Sequence, residues 1–209
     1  MSTLPRFDRL PQEKQQRILD VASEEFIAHG FDQASLNRII ERSEISKGSM
    51  YYYFHDKTHL YVAVVDRLVM DVLEEHLLPD LSTLNAENFW ERFAEHMDHV
   101  AAHWQKHPRI FALAKTLQPL RRRRDQEPFA KLFDRNRLWL RQIFEAGQNL
   151  GVLRDDLPLD LMMTLWMSVD ECLDSYGLDL WDDMDADERR EFIARGWDFF
   201  RRMFERRSQ

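Results

Sequence analysis

An all-α fold follows from three observations. Apolar residues recur at helical spacing along the chain, and no convincing alternating run of the kind a strand needs is present. Helix punctuation is regular: Ser35, Ser46 and Asp185 stand where a first turn needs a side-chain acceptor, and Pro79, His107-Pro108 and Gly151 stand where helices stop. With 209 residues, 44% of them hydrophobic, the chain can fill the core of a small N-terminal domain and of a larger one behind it.

The elements follow in order. A first helix carries Ile18, Leu19, Ala22 and Phe26 and reaches His29-Gly30-Phe31. Ser35 caps a short helix to about Arg42, with Leu36, Ile39 and Ile40 at the i, i+3, i+4 spacing of one apolar face. Ser43-Glu44-Ile45 breaks that pattern, and Ser46 caps a second short helix, Lys47 to about Tyr53. Met50 and Phe54 fall four apart on its buried side, leaving Lys47, Gly48, Ser49, Tyr51, Tyr52 and Tyr53 outward. A helix this short needs a packed partner. Two short helices around a tight turn are the layout of a helix-turn-helix, whose second helix enters the DNA major groove. The chemistry is recognition, with no catalytic residues and no cofactor implied. Downstream, a long helix is expected over 57–78, then helices over about 86–106, 109–117, 128–149 and 158–177. The last begins at Asp185-Ala186-Asp187-Glu188, a capping box, and ends in arginines that complement its dipole.

The run Ser43-Glu44-Ile45-Ser46-Lys47-Gly48-Ser49-Met50-Tyr51-Tyr52-Tyr53-Phe54-His55-Asp56-Lys57 resembles the DNA-binding domain of the TetR family of bacterial transcriptional repressors. That family's hallmark is Ala-Gly-Val-Ser-x-Gly-Thr-Leu-Tyr-x-His-Phe-x-x-Lys, and the first helix is similar to the family's as well; the match covers roughly residues 10 to 65. Two positions depart. Glu44 stands where the family has Gly in the turn, a strained choice if the turn needs positive φ, and Tyr53 stands where it often has His. The resemblance implies a three-helix DNA-binding domain over 1–56 and an effector-binding and dimerisation domain over 57–209, with 57–78 connecting them. It places Ser35, Ser49, Tyr52, Tyr53 and Lys57 near phosphates, and Asn37, Lys47, Gly48 and Tyr51 near base edges. The residue chemistry agrees, since hydroxyls and ammonium groups suit phosphate while Lys and Asn address guanine and adenine edges. It further implies a ligand-responsive repressor, bound as a dimer to a palindromic double-stranded operator.

Charge sits awkwardly with that expectation. The chain is formally −8, and residues 1–60 hold eight Lys/Arg against nine acids. A basic footprint is the usual electrostatic mark of DNA binding. Asp20, Glu24, Glu25 and Asp32 lie on or just after the first helix, however, and are expected to face away from the recognition helix. Arg6 and Arg9 precede that helix, as a DNA-directed arm or as a solvated end. The single cysteine, Cys172, forms no intrachain disulfide and suits a reducing cytoplasm. The start has no signal-peptide pattern, and the longest near-apolar run, Leu161 to Val169, is too short to span a bilayer.

The last two helices, about 158–177 and 185–206, carry more apolar surface than one neighbour covers, which predicts a homodimer through them. An effector pocket is nominated from His103, Trp104, His107, Phe111, Phe129, Phe133, Trp166 and Met167, a set suited to a flat apolar or aromatic molecule. Two alternatives are weighed. His96, His99, His103 and His107 share a helical stretch, and i, i+4 pairs suit a metal-sensing repressor. A helical-bundle metal enzyme is the weaker option, because no second Glu-x-x-His helix is present. Arg121-Arg122-Arg123-Arg124 is expected in a solvated loop.

Overall fold

The computed structural model describes residues 6–70, 80–181 and 183–206; within helices, the side chains of residues 70, 97, 100, 101, 104, 135, 136, 178 and 179 lie outside that description. Among the described residues the chain is helical, apart from one isolated bridge between Leu153 and Glu205. The elements are α1 Gln12–Gln33, α2 Leu36–Arg42, α3 Lys47–Tyr53, α4 Lys57–Val65, a π-helical turn Asp66–Met70, a single 3-10 turn Leu81–Thr83, α5 Phe89–Lys106, α6 Pro108–Lys115, a 3-10 helix Gln118–Arg123, α7 Ala130–Asn149, α8 Leu159–Leu180 and α9 Ala186–Phe204. The all-α class is as expected. Of the helix expected over 57–78, the part up to Met70 is helical, and residues 71–79 lie outside the described residues.

Small differences have local causes. Arg121, Arg122 and Arg123 belong to a 3-10 helix rather than a loop, because Pro119 pre-sets its first turn. The helix expected from residue 86 begins at Phe89, since Asn85 Oδ1 accepts from the amides of Glu87 and Asn88 and holds a turn ahead of it. α8 continues past Gly177 to Leu180. At Asp185 the capping box is complete: its carboxylate accepts from Asp187 N–H and Glu188 N–H at 2.8 and 2.9 Å, and Glu188 accepts from Asp185 N–H at 2.8 Å. Those amides hold the Asp185 carboxyl below its ordinary range.

Two compact units emerge, and each interleaves two stretches of sequence: residues 1–76 with 104–133, and residues 77–103 with 134–209. In the first, Ile18, Phe26, Ile39, Phe54, Leu60 and Val64 are fully or nearly fully buried. Tyr61 joins them, its ring 4.9 Å from Phe26 and its hydroxyl 2.7 Å from Thr116 Oγ1. Burial pushes the Tyr61 phenol well up, against the smaller lowering effect of Thr116. Leu113, Leu120 and Phe129 complete this core, so α4, α6 and the 3-10 helix pack with the three N-terminal helices. In the second unit, Phe89, Phe93, Phe144, Trp166, Phe200 and Phe204 form the centre, with Trp166 stacked on Phe200 at 4.1 Å.

Candidate nucleic-acid interface

The turn between α2 and α3 is built from backbone hydrogen bonds. Glu44 N–H donates to Glu41 O at 3.1 Å and Ile45 N–H to Ile40 O at 3.4 Å, the paired bonds of a Schellman helix end. That motif places its C′ residue in the left-handed region, and Glu44 sits there with φ of 54°. Glycine is usual at such a position because it has no Cβ. Here the side chain is turned to use: Glu44 Oε1 pairs with Arg17 Nη2 on α1 at 2.6 Å, and that hydrogen bond lowers the Glu44 pKa. The expected strain is therefore present, together with a tether to the first helix.

Both short helices are capped as their sequences predict. Arg38 N–H donates to Ser35 Oγ at 3.3 Å, and Ser49 N–H to Ser46 Oγ at 3.0 Å. Met50 and Phe54 are each 1% exposed, so α3 is pinned from below. Lys47, Gly48, Tyr51 and Tyr52 are exposed, and Asn37 is exposed on α2. Ser35 and Ser49 are half-buried, and the Ser49 hydroxyl lies 2.9 Å from Ser46 Oγ. Tyr53 is half-buried, edge-on to Phe7 at 6.1 Å. Lys57 turns inward: its ammonium donates to Asp32 O at 2.9 Å and Ala34 O at 3.1 Å, closing the end of α1.

Three acids that the sequence places on α1 are engaged by arginines. Glu25 is 3% exposed and accepts from Ser35 N–H at 2.8 Å, Arg38 Nε at 2.9 Å and Arg38 Nη2 at 2.5 Å. Burial alone would raise its pKa; the Arg38 guanidinium and the Ser35 amide outweigh that and hold it below its ordinary value. Glu24 pairs with Arg42 on α2 and with Arg109 on α6, the latter at 3.6 Å. Arg109 also donates to Asp20 O at 2.9 Å and to Ser23 Oγ at 2.7 Å. Sequence reasoning missed Glu25 and Phe7 as organisers of this face. Glu25 has a signal only in hindsight, an acid at a core register of α1; Phe7 has none, lying before the periodic pattern starts.

Residues 18–64 match the family model for bacterial regulatory proteins of the tetR family. Residues 18–64 are thus a DNA-binding domain of the TetR family. Among its relatives, the probable acrEF/envCD operon repressor of Escherichia coli strain K12 is 26% identical over 157 residues, covering 72% of this chain and 69% of that one. The transcriptional repressor AcnR of Corynebacterium diphtheriae is 27% identical over 155 residues, covering 72% and 74%. In structure the chain is similar to SmeT, the repressor of the Stenotrophomonas maltophilia efflux pump SmeDEF. The TM-score is 0.68 at 16% identity, over 95% of this chain and 92% of SmeT, a likeness of fold. With that domain the chain is a DNA-binding transcription regulator, and the relatives it matches are named as repressors.

The nominated effector residues fall in both units of the chain. In the first, His107 is exposed at the start of α6, Phe111 and Phe133 are half-buried, and Phe129 is 4% exposed between Phe31 and Tyr61, 5.3 and 6.1 Å away. In the second, His103 and Met167 are half-buried, and Trp166 is 8% exposed among Phe93, Phe144 and Phe200. The Trp104 side chain lies outside the described residues. Among the described residues, no three His, Cys, Asp or Glu side chains converge as a metal site requires; His96 instead packs 5.5 Å from Trp139. The metal-sensing and metal-enzyme alternatives find no support in the relatives either. No described helix is long and apolar enough to cross a membrane.

Proposed function

We propose that this TetR-family regulator is a cytoplasmic repressor that binds a palindromic operator as a homodimer and is released by a small apolar or aromatic effector. The observation that carries the DNA-binding part is α3: a capped helix, buried through Met50, that leaves Lys47, Gly48, Tyr51 and Tyr52 exposed along one surface. Lys47, Tyr51, Gly48 and Asn37 address base edges in this reading; Ser35, Ser49, Tyr52, Tyr53 and Lys57 lie toward phosphates. Lys57 reaches phosphate only by exchanging the two carbonyls it now serves. The dimer forms through α8 and α9, where Leu161, Leu165, Tyr176 and Phe199 are 37–62% exposed. Large apolar side chains gathered on two helices favour a second copy as their cover.

The effector acts by differential affinity for two arrangements of the recognition helices. A physical route exists within the first unit. Arg109 on α6 and Arg42 on α2 share Glu24 on α1, so displacement of α6 is felt at the helix preceding α3. The effector nomination is carried unit by unit, with Trp104, His107, Phe111, Phe129 and Phe133 in the first and His103, Trp166 and Met167 in the second, and with the DNA-binding and effector-binding functions divided at about residue 56.

A mobility-shift titration with DNA from upstream of the chain's own gene tests the reading. Wild type is expected to retain it against mixed-sequence competitor, and Lys47→Ala with Tyr51→Ala to lose that preference. Unchanged retention by the double variant sinks the recognition-helix assignment. A thermal-shift screen of flat aromatic compounds tests the effector class, because a ligand bound only by the native state raises the unfolding midpoint.

A further inference from the structure

Residues 6–10 form a small folded clasp rather than a loose arm. Phe7 has no exposed surface, and its ring lies 4.9 Å from that of Phe54 at the end of α3. Leu10 N–H donates to Phe7 O at 3.0 Å. Gln15 Nε2 on α1 donates to Leu10 O at 2.7 Å and Asp8 O at 3.2 Å, and the Asp8 carboxylate pairs with Arg67 at 2.6 Å. These bonds hold the neighbouring Arg6 beside α3, where its guanidinium carbon sits 4.2 Å from the centroid of the Tyr52 ring.

Tyr52 is 51% exposed, so the stacked pair stands at the surface that also carries Tyr51 and Lys47. Stacking uses the face of a guanidinium; its five N–H donors lie in the plane and stay available at the edge. Among the described residues no carboxylate pairs with Arg6, whereas Arg17, Arg38, Arg42, Arg67, Arg109 and Arg123 each hold one. A planar, uncompensated fork of donors, fixed by an aromatic ring beside a recognition helix, matches a phosphodiester oxygen pair. We propose that Arg6 contacts a DNA backbone phosphate, presented by Tyr52 and anchored through Phe7. The assignment rests on the DNA-binding reading of α3 and extends the interface to a segment outside the helix-turn-helix.

The test is binding of two fluorescent duplexes of equal length, one carrying the upstream DNA and one of mixed sequence, between 50 and 200 mM KCl. Loss of one phosphate contact makes log affinity against log salt shallower by about 0.9 per protomer. Wild type's advantage over Arg6→Ala should therefore shrink about 3.5-fold per protomer across that range, equally on both duplexes because phosphate contacts carry no sequence information. Arg6→Lys keeps the wild-type slope. Tyr52→Leu reproduces part of the Arg6→Ala loss, and combining the two gives less than the sum. Arg6 is exposed, so the unfolding midpoint of Arg6→Ala stays at the wild-type value. A wild-type slope and affinity in Arg6→Ala, with wild-type binding intact, overturns the proposal alone; a loss confined to one duplex overturns it in favour of a base contact. Failure of wild type on both duplexes overturns the DNA-binding reading and the proposal with it.

Discussion

Replacing Glu25 by alanine strips three donors of one buried acceptor. The Ser35 amide, 2.8 Å away, is part-buried and begins α2, so its orphaned N–H costs about 1–3 kcal/mol. The Arg38 head is half in water and rehydrates, so it adds little. The central value, about 2 kcal/mol, lowers the unfolding midpoint by about 4–8 °C for a chain of this length. Unlike a simple packing loss, which is the same at every pH, this loss depends on pH. Burial raises the Glu25 pKa, but Arg38 and the Ser35 amide lower it further, leaving the folded value below the ordinary 4.5. The folded chain thus holds that proton less readily than the unfolded one. Its contribution is complete above about pH 4.5 and fades as pH falls through the lower folded value. Thermal unfolding followed by far-ultraviolet circular dichroism at pH 7 and near pH 3 reads both effects. The gap between wild type and variant should be wide at pH 7 and narrow near pH 3. An equal gap at both values, or none at pH 7, refutes the account of a buried carboxylate joining α1 to α2.

Two further substitutions probe backbone positions. A Cβ at Gly147 meets Leu153 Cδ1 at 2.5 Å and Phe89 Cζ at 2.9 Å, both on buried side chains. Overpacking of about 1–3 kcal/mol outweighs the gain of up to about 1 kcal/mol that Ala brings to a helix, so Gly147→Ala lowers the denaturation midpoint; a rise would show that Leu153 has room to move. Glu44→Gly relieves the positive φ and deletes the exposed pair with Arg17. The unfolding midpoint should rise, because an ion pair in water contributes little beside a left-handed backbone; a fall would show the Arg17 tether to be the dominant effect.

What the sequence made legible was local. Caps at Ser35, Ser46 and Asp185, the buried pair Met50 and Phe54, and the need for positive φ at Glu44 are all set by residues within a few positions of one another. What it hid was non-local. Phe7 enters the core by packing its ring, tilted, against that of Phe54, far along the chain, and nothing near residue 7 signals that. Likewise, α6 joins the first unit through Tyr61–Thr116 and Arg109–Ser23, pairs separated by more than fifty residues. The effector nomination met the same limit. Helical projection identifies an apolar face, but not which unit's core that face fills: Phe129 packs in one unit and Trp166 in the other.

The charge problem resolves in the same non-local way. Eight basic residues against nine acids in the first sixty reads as a poor DNA binder. Yet Asp20, Glu24 and Glu25 of α1 are bound by Arg109, Arg42 and Arg38, and Asp32 is 3.0 Å from Arg123. Two of those arginines come from beyond residue 100, so the acids need not face away to be silent. A close ion pair presents only a dipole, and salt screens what remains beyond about 10 Å at 0.1 M. The field met by a phosphate at contact therefore comes from cations for which no carboxylate partner is found among the described residues, among them Lys47 on α3, Arg6 beside it and Lys57. Few such cations mean few released counterions and a shallow salt dependence. Discrimination between sequences then rests on the edge-directed groups of α3, Lys47 and Tyr51, held in place by Met50 and Phe54 below and by the Glu44 turn ahead.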